Sequence, residues 1–236
     1  MLSRALAFPP AESAGADGLV AYGGDLSPER IVLAYRQGIF PWPSPGYPLL
    51  WFSPDPRFVL EPARAHVSRS LRKRARHSEL VIRADTAFDR VIDACGETPR
   101  PGQDGTWITR ELREGYSALH RLGYAHSIEA WRGAELVGGL YGLSMGRVFF
   151  GESMFTREPD ASKLAFVTLL GQLVRWGHPL LDCQVETPHL ARFGAVERPR
   201  ADFLRDVTRL VSEPSLLGPW SLDLSPRDAL ELLTGS

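Results

Sequence analysis

The chain is poor in cysteine, almost without net charge, and free of long apolar runs. Its two cysteines, Cys95 and Cys183, stand far apart with no CxxC pair and no histidine cluster. That argues against a disulfide framework and a structural zinc site and for reduced thiols. A formal net charge of -1 gives no global case for nucleic-acid binding, although it leaves room for a local basic patch. No apolar run approaches the ~20 residues needed to cross a bilayer, and the N-terminus shows neither the basic nor the continuous apolar region of a secretory leader. These absences predict a cytoplasmic protein without a metal site or a membrane partner.

What remains is ordinary globular material: 236 residues, 44% hydrophobic and 23% charged, enough for one substantial core and a small second unit. Ten of the 19 prolines fall between Pro9 and Pro62, together with Trp42 and Trp51. That concentration predicts a compact, turn-rich domain over residues 1–62 and a second domain over 63–236. Within the first, Ser27 as N-cap, Pro28 at the first helical position, Ile31, Ala34 and Tyr35 at helical spacing and Gly38 as the stop mark one short helix. The cationic run Arg69, Arg72, Lys73, Arg74 and Arg76 follows the proposed boundary near Pro62, and it has the look of a solvated helix face.

Beyond the run the pattern alternates. Phe88, Val91, Ile92 and Cys95 recur at helical spacing, and a second helix runs from Thr109 through Leu112, Tyr116 and Leu119 to Gly123. Residues 124–131, 135–144 and 147–153 read as antiparallel strands, with turns at Arg132-Gly133-Ala134 and Met145-Gly146. A core helix over 164–176 ends at Gly177 and leads into the strand Leu181-Asp182-Cys183-Gln184-Val185; a further helix spans 202–210. This order predicts an α+β fold, an acetyltransferase-like mixed sheet flanked by helices.

The strand around Asp182 carries the strongest chemical signal. Side chains alternate along a strand, so Asp182 and Gln184 are expected on one face and Leu181, Cys183 and Val185 on the other. A carboxylate beside a carboxamide in an apolar strand costs free energy unless paired. Spacing alone leaves a satisfied polar pair as good a reading as a reactive one. His126 and His189 have no identifiable triad partner and read as structural. Leu140, Phe149, Phe166 and Leu169 read by themselves as core, and Glu152 by itself as a surface carboxylate.

An ordered set of short motifs goes further. Gly23-Gly24-Asp25-Leu26-Ser27-Pro28, Gly38-Ile39-Phe40-Pro41-Trp42, Trp51-Phe52-Ser53-Pro54-Asp55-Pro56-Arg57, Gly105-Thr106-Trp107-Ile108-Thr109, Gly138-Gly139-Leu140-Tyr141-Gly142, Gly151-Glu152-Ser153-Met154-Phe155, Ala161-Ser162-Lys163 and Asp182-Cys183-Gln184 together resemble the bacterial leucyl/phenylalanyl-tRNA-protein transferases, over nearly the whole chain to about Pro199. The resemblance implies transfer of Leu or Phe, and less readily Met, from aminoacyl-tRNA to the α-amino group of proteins that begin with Arg or Lys, which marks them for degradation. It implies a monomer that needs no cofactor, because the donor ester is already activated and the enzyme has to position an amine, handle a proton and stabilise an oxyanion.

On that resemblance Asp182 and Gln184 handle a proton or orient the amine. Both roles stay open, with orientation preferred because an ordinary carboxylate is a weak base at neutral pH. Glu152 is assigned to recognition of the cationic acceptor or of the free amino group. Leu140, Phe149, Met154, Phe166 and Leu169 match the family's aminoacyl pocket, Trp51 and Trp107 are candidates for stacking on the terminal adenosine, and Arg69 to Arg76 for holding acceptor-stem phosphates. Two other readings compete. A coenzyme A-dependent N-acyltransferase of the same layout is disfavoured because Thr156 to Lys163, before the core helix, has no glycine and carries two acids. A non-catalytic module binding tRNA or basic N-termini is disfavoured by the Asp182 and Gln184 pair. The resemblance thins after Pro199, leaving 214–236 as an extension without a clear counterpart.

Overall fold

The computed structural model describes residues 1–2, 5–44, 46–98 and 106–235. Its elements, in order, are β1 (Leu19–Tyr22), α1 (Pro28–Arg36), β2 (Phe40–Pro41), β3 (Leu50–Phe52), β4 (Arg57–Leu60), α2 (Arg69–Arg76), β5 (Val81–Ala84), α3 (Phe88–Glu97), α4 (Arg110–Arg121), β6 (Ala125–Arg132), β7 (Glu135–Met145), β8 (Val148–Thr156), α5 (Ala161–Arg175), β9 (Leu180–Gln184), α6 (Pro188–Ala191), β10 (Val196–Arg198), α7 (Arg200–Leu210) and α8 (Pro226–Thr234). Gly105, part of one quoted motif, lies outside the described residues.

Local signals set most boundaries. Pro28 opens α1, whose N-cap Ser27 is held by Asp25 rather than capping the helix itself. The Thr109 hydroxyl accepts the Leu112 N–H and starts α4, and Ser225 and Asp228 form a reciprocal capping box on α8. Gly123 and Gly177 take positive φ just beyond α4 and α5.

The strands form a three-stranded sheet, β1-β3-β2, and a seven-stranded mixed sheet ordered β10-β4-β9-β8-β7-β6-β5. β6, β7 and β8 are the expected antiparallel meander, and β9 returns beside β8 in parallel through the α5 crossover. Helices cover both faces. Phe150, Tyr141 and Leu143 pack with residues of α1, α3, α4 and α7, whereas their neighbours Phe149, Leu140 and Ile128 pack with α2, α5 and α8. The chain is thus α+β with a helix-flanked mixed sheet.

The boundary expected near Pro62 falls after β4, and β4 pairs with β9 in the large sheet. The expectation for the C-terminal segment needs correcting. The segment 214–235 is an integral part of the fold: Trp220 is 5% exposed and stacks on His126 at 3.6 Å, and α8 lies against α5. There a Cβ added to Gly171 would stand 2.6 Å from the Ala229 side chain. Only glycine permits that approach.

Candidate active site

β8 and β9 pair through Val148↔Leu180, Phe149↔Leu181 and Phe150↔Asp182 and then part, although β8 runs on to Thr156 against β7. A cavity of about 440 Å³ opens where they part, with Gly151 to Met154 on one side and Cys183 to Val185 on the other. Each bordering strand carries a bulge there. Tyr141 pairs Ser153 and Gly142 pairs Gly151, leaving Glu152 as the extra residue. Val59 pairs Asp182 and Phe58 pairs Gln184, leaving Cys183 as the other. A bulge re-aims side chains. It also requires Gly142, where a Cβ would come within 2.2 Å of the Phe150 carbonyl oxygen.

The re-aimed Glu152 carboxylate receives a concentrated set of donors. Tyr35 Oη donates to Oε1 at 2.6 Å, Gln184 Nε2 to Oε1 at 2.9 Å, and Tyr116 Oη to Oε2 at 3.0 Å. The two phenol oxygens are themselves 2.6 Å apart. Burial raises the Glu152 carboxyl to about 7; hydrogen bonds from the tyrosines oppose the shift, the Asp182 charge adds to it, and Arg57 opposes it. Burial and the charge of Glu152 push both tyrosines well above their usual range, so they remain protonated donors.

Behind this cluster lies a buried ion pair. Arg57 Nε donates to Asp182 Oδ1 at 2.8 Å and Nη2 to Oδ2 at 2.6 Å, while Nη1 reaches the Gly38 carbonyl at 3.2 Å. The guanidinium lies between the rings of Phe40 and Phe203, 4.7 and 4.5 Å from their centroids. Asp182 Oδ1 also accepts the Gln184 backbone N–H at 2.9 Å. Gln184 takes φ of +65°, so it leaves the regular alternation of β9 and turns its side chain to Glu152. The acid and amide are therefore joined through backbone, and Asp182, wholly buried, is not among the residues that line the cavity.

The cavity walls are mainly apolar. Leu140, Phe149, Met154 and Phe166, which the family resemblance put in a pocket, line it; Leu169 does not, being fully buried in the apolar cluster that also holds Phe166. Trp107 and Trp42 line its rim, partly exposed and 6.4 Å apart. Trp51 is corrected: it is 0% exposed in β3, donates Nε1–H to the Gly23 carbonyl and meets the edge of Phe8. No base can stack on it.

Cys183 lines the cavity as well as joining the apolar cluster, and burial raises its thiol well above the ordinary value, so it is not a thiolate nucleophile. His189 also borders the cavity. His126 binds Asp85 through Nδ1 at 2.8 Å beneath Trp220, and no hydroxyl or thiol meets its Nε2. Arg69, Lys73, Arg74 and Arg76 are open to solvent on α2 while Arg72 Nε binds the Val67 carbonyl; none of the five lines the cavity. Among the described residues no cluster of His, Cys, Asp and Glu has the makings of a metal site.

The sequence reading missed Tyr35, Tyr116 and Arg57 as site residues. The tyrosines sit at helical core positions, where a buried hydroxyl needs a partner. Arg57 begins a strand whose four residues are all buried. Those were the available signals.

Comparison with known proteins is consistent across the chain. A family model described as leucyl/phenylalanyl-tRNA protein transferase matches residues 59–208, and one for the N-terminal domain of the same transferase matches 24–55. Curated relatives carrying that name include one from Myxococcus xanthus, 58% identical over 91% of this chain and 92% of that protein. One from Anaeromyxobacter sp. (strain Fw109-5) is 55% identical over 97% of each, and one from Thiobacillus denitrificans is 57% identical over 92% and 95%. A solved structure of a functionally unknown conserved protein from Staphylococcus epidermidis covers 61% of this chain and 57% of that one at 14% identity and a TM-score of 0.41, too slight a likeness to argue from.

Proposed function

The chain belongs to the leucyl/phenylalanyl-tRNA protein transferase family, and on that premise we propose how its cavity moves an aminoacyl group from tRNA to protein. The side chain of the donor amino acid, Leu or Phe and less readily Met, enters the apolar cavity between Leu140, Phe149, Met154 and Phe166. The terminal adenosine lies against Trp42 and Trp107. Acceptors are proteins beginning with Arg or Lys, whose added positive charge favours the Glu152 end of the cavity, where Glu152 is the one acid among the lining residues.

The acceptor ammonium meets Glu152. An α-amino group titrates near 7.7–8.0. A carboxyl at about 7 is therefore matched to take its proton, which an unperturbed carboxylate is not. The freed amine attacks the ester carbonyl and the C–N bond forms; protonated Glu152 gives its proton to the departing ribose oxygen as the C–O bond breaks, and the restored carboxylate takes the second proton from the attacking nitrogen and releases it to solvent. Gln184 holds Glu152 and orients the amine. Asp182 acts one step back, fixing Gln184 through its backbone and held there by Arg57. No cofactor enters this scheme.

The observation that carries the reading is a carboxylate, held by two phenols and an amide, that lines an apolar cavity together with two tryptophans. We further propose that the large sheet is acetyltransferase-like, with its parting parallel pair as the site, that residues 1–62 form a small unit beside a catalytic unit over 63–236, that α2 offers Arg69, Arg72, Lys73, Arg74 and Arg76 to acceptor-stem phosphates, and that the protein acts as a cytoplasmic monomer. Coenzyme A is disfavoured as donor: the turn before α5 carries the Asp160–Lys163 ion pair and no glycine.

The test is transfer of labelled leucine from leucyl-tRNA, with acetyl-CoA as the rival donor, to peptides beginning with Arg or with Asp. Label from leucyl-tRNA on the Arg peptide alone is expected. Labelling of the Asp peptide would overturn the acceptor assignment, and transfer only from acetyl-CoA the donor assignment.

A further inference from the structure

The cavity-rim Trp42 begins a hairpin loop that returns to β3 at Leu50, whose carbonyl accepts the Trp42 N–H at 2.9 Å. At the far end of the loop stands Tyr47, 71% exposed, against 44% for the exposed Tyr22. The tip around it is empty: a Cβ added to Gly46 would meet nothing within 4 Å. An aromatic ring held out in this way is not explained by the core, nor does it join the aromatic contacts among Trp42, Phe52 and Trp107. Pro43 and Pro48 in the loop restrict its backbone, so the ring is presented on a short, stiffened arm.

The position of the arm relative to the donor follows from chain reach. Two residues lie between Tyr47 and Leu50, so three residue steps span at most about 11 Å. Leu50 is tied to Trp42, so Tyr47 stands within the reach of a strand leaving the Trp42 and Trp107 pair, at about 3.4 Å for each stacked nucleotide. We propose that Tyr47 is a second stacking platform, which takes the base of a single-stranded nucleotide preceding the terminal adenosine of the donor. The inference rests on the adenosine lying against Trp42 and Trp107. Stacking on an aromatic face needs no base-edge contact and is tolerant of sequence, as a transferase that accepts more than one tRNA requires.

The test compares two donors, leucyl-tRNA and leucyl-adenosine, with an Arg-initiated acceptor peptide. Tyr47→Ala is expected to raise the ratio of KM for leucyl-tRNA to KM for leucyl-adenosine by fivefold or more, roughly the lower end of what one base–aromatic stack supplies. Tyr47→Phe should restore the ratio, since the ring and not the hydroxyl is used. An unchanged ratio overturns the inference, as does an equal rise for both donors or a rise in KM for the acceptor peptide alone. Absence of transfer from both donors by the unaltered protein would instead remove the proposed function on which the inference rests.

Discussion

Replacing Glu152 by glutamine tests the central carboxyl through stability as well as rate. In the folded protein the group keeps its proton to about pH 7; in the unfolded chain it loses it near its ordinary value of 4.5. Between those values the unfolded state binds fewer protons, so stability falls as pH rises and levels off above about 7. The shift is roughly 2.5 units, and at 1.36 kcal/mol per unit the ionised carboxyl costs about 3 kcal/mol at pH 8 relative to pH 4. Glu152→Gln removes this titration while keeping the shape. Urea unfolding of both proteins from pH 4 to 8 should show the variant gaining about 3 kcal/mol on the parent across the range. The same substitution should cut kcat/KM by roughly 10²- to 10⁴-fold and abolish the rise in rate centred near pH 7. Stability curves that stay parallel within about 1 kcal/mol, or a variant that keeps the rising limb, would refute the assignment.

Other expectations follow from named contacts. Arg57→Ala should cost about 3–5 kcal/mol in thermal or chemical unfolding because it strands the buried Asp182 charge, and Arg57→Lys should recover only part, lacking the second donor to the carboxylate. Trp42→Ala should raise KM for leucyl-adenosine, by about 1–3 kcal/mol in binding, and leave Tm close to the parent value. Trp51→Ala should do the reverse, losing about 3–5 kcal/mol of stability through a core cavity. Trp220→Ala should destabilise by a similar amount in a melting experiment, which distinguishes a structural C-terminal segment from a dispensable tail.

Periodicity located α3, α4, the β6-β7-β8 meander, α5, β9 and α7, because each carries an unbroken apolar face or a clear cap. It could not place β4, whose four residues are all buried and therefore show no alternation. α8 was hidden because the motifs end before it, although Ser225-Pro226 and Asp228 spell a helix start. In the site, Asp182 and Gln184 were legible as polar residues in an apolar strand, and Glu152 only through the family resemblance. Their division of labour was not: two bulges and one positive φ decide which way each side chain turns, and strict alternation assumes none of these. Trp51 and Trp42 look equivalent in composition, and only the pairing of β1, β2 and β3 puts one inside and the other at the rim.

The Arg57–Asp182 pair has a temporal consequence. Its partners are 125 residues apart, and β9 must slide between β4 and β8 to bring them together. During synthesis Arg57 is made long before the carboxylate that will neutralise it, and contacts of such separation close late. Until β9 emerges, the growing chain has neither Gln184 beside Glu152 nor the second wall of the cavity. The proposed catalytic apparatus is therefore completed only once β9 has been made, and a nascent fragment that stops short of Gln184 lacks it.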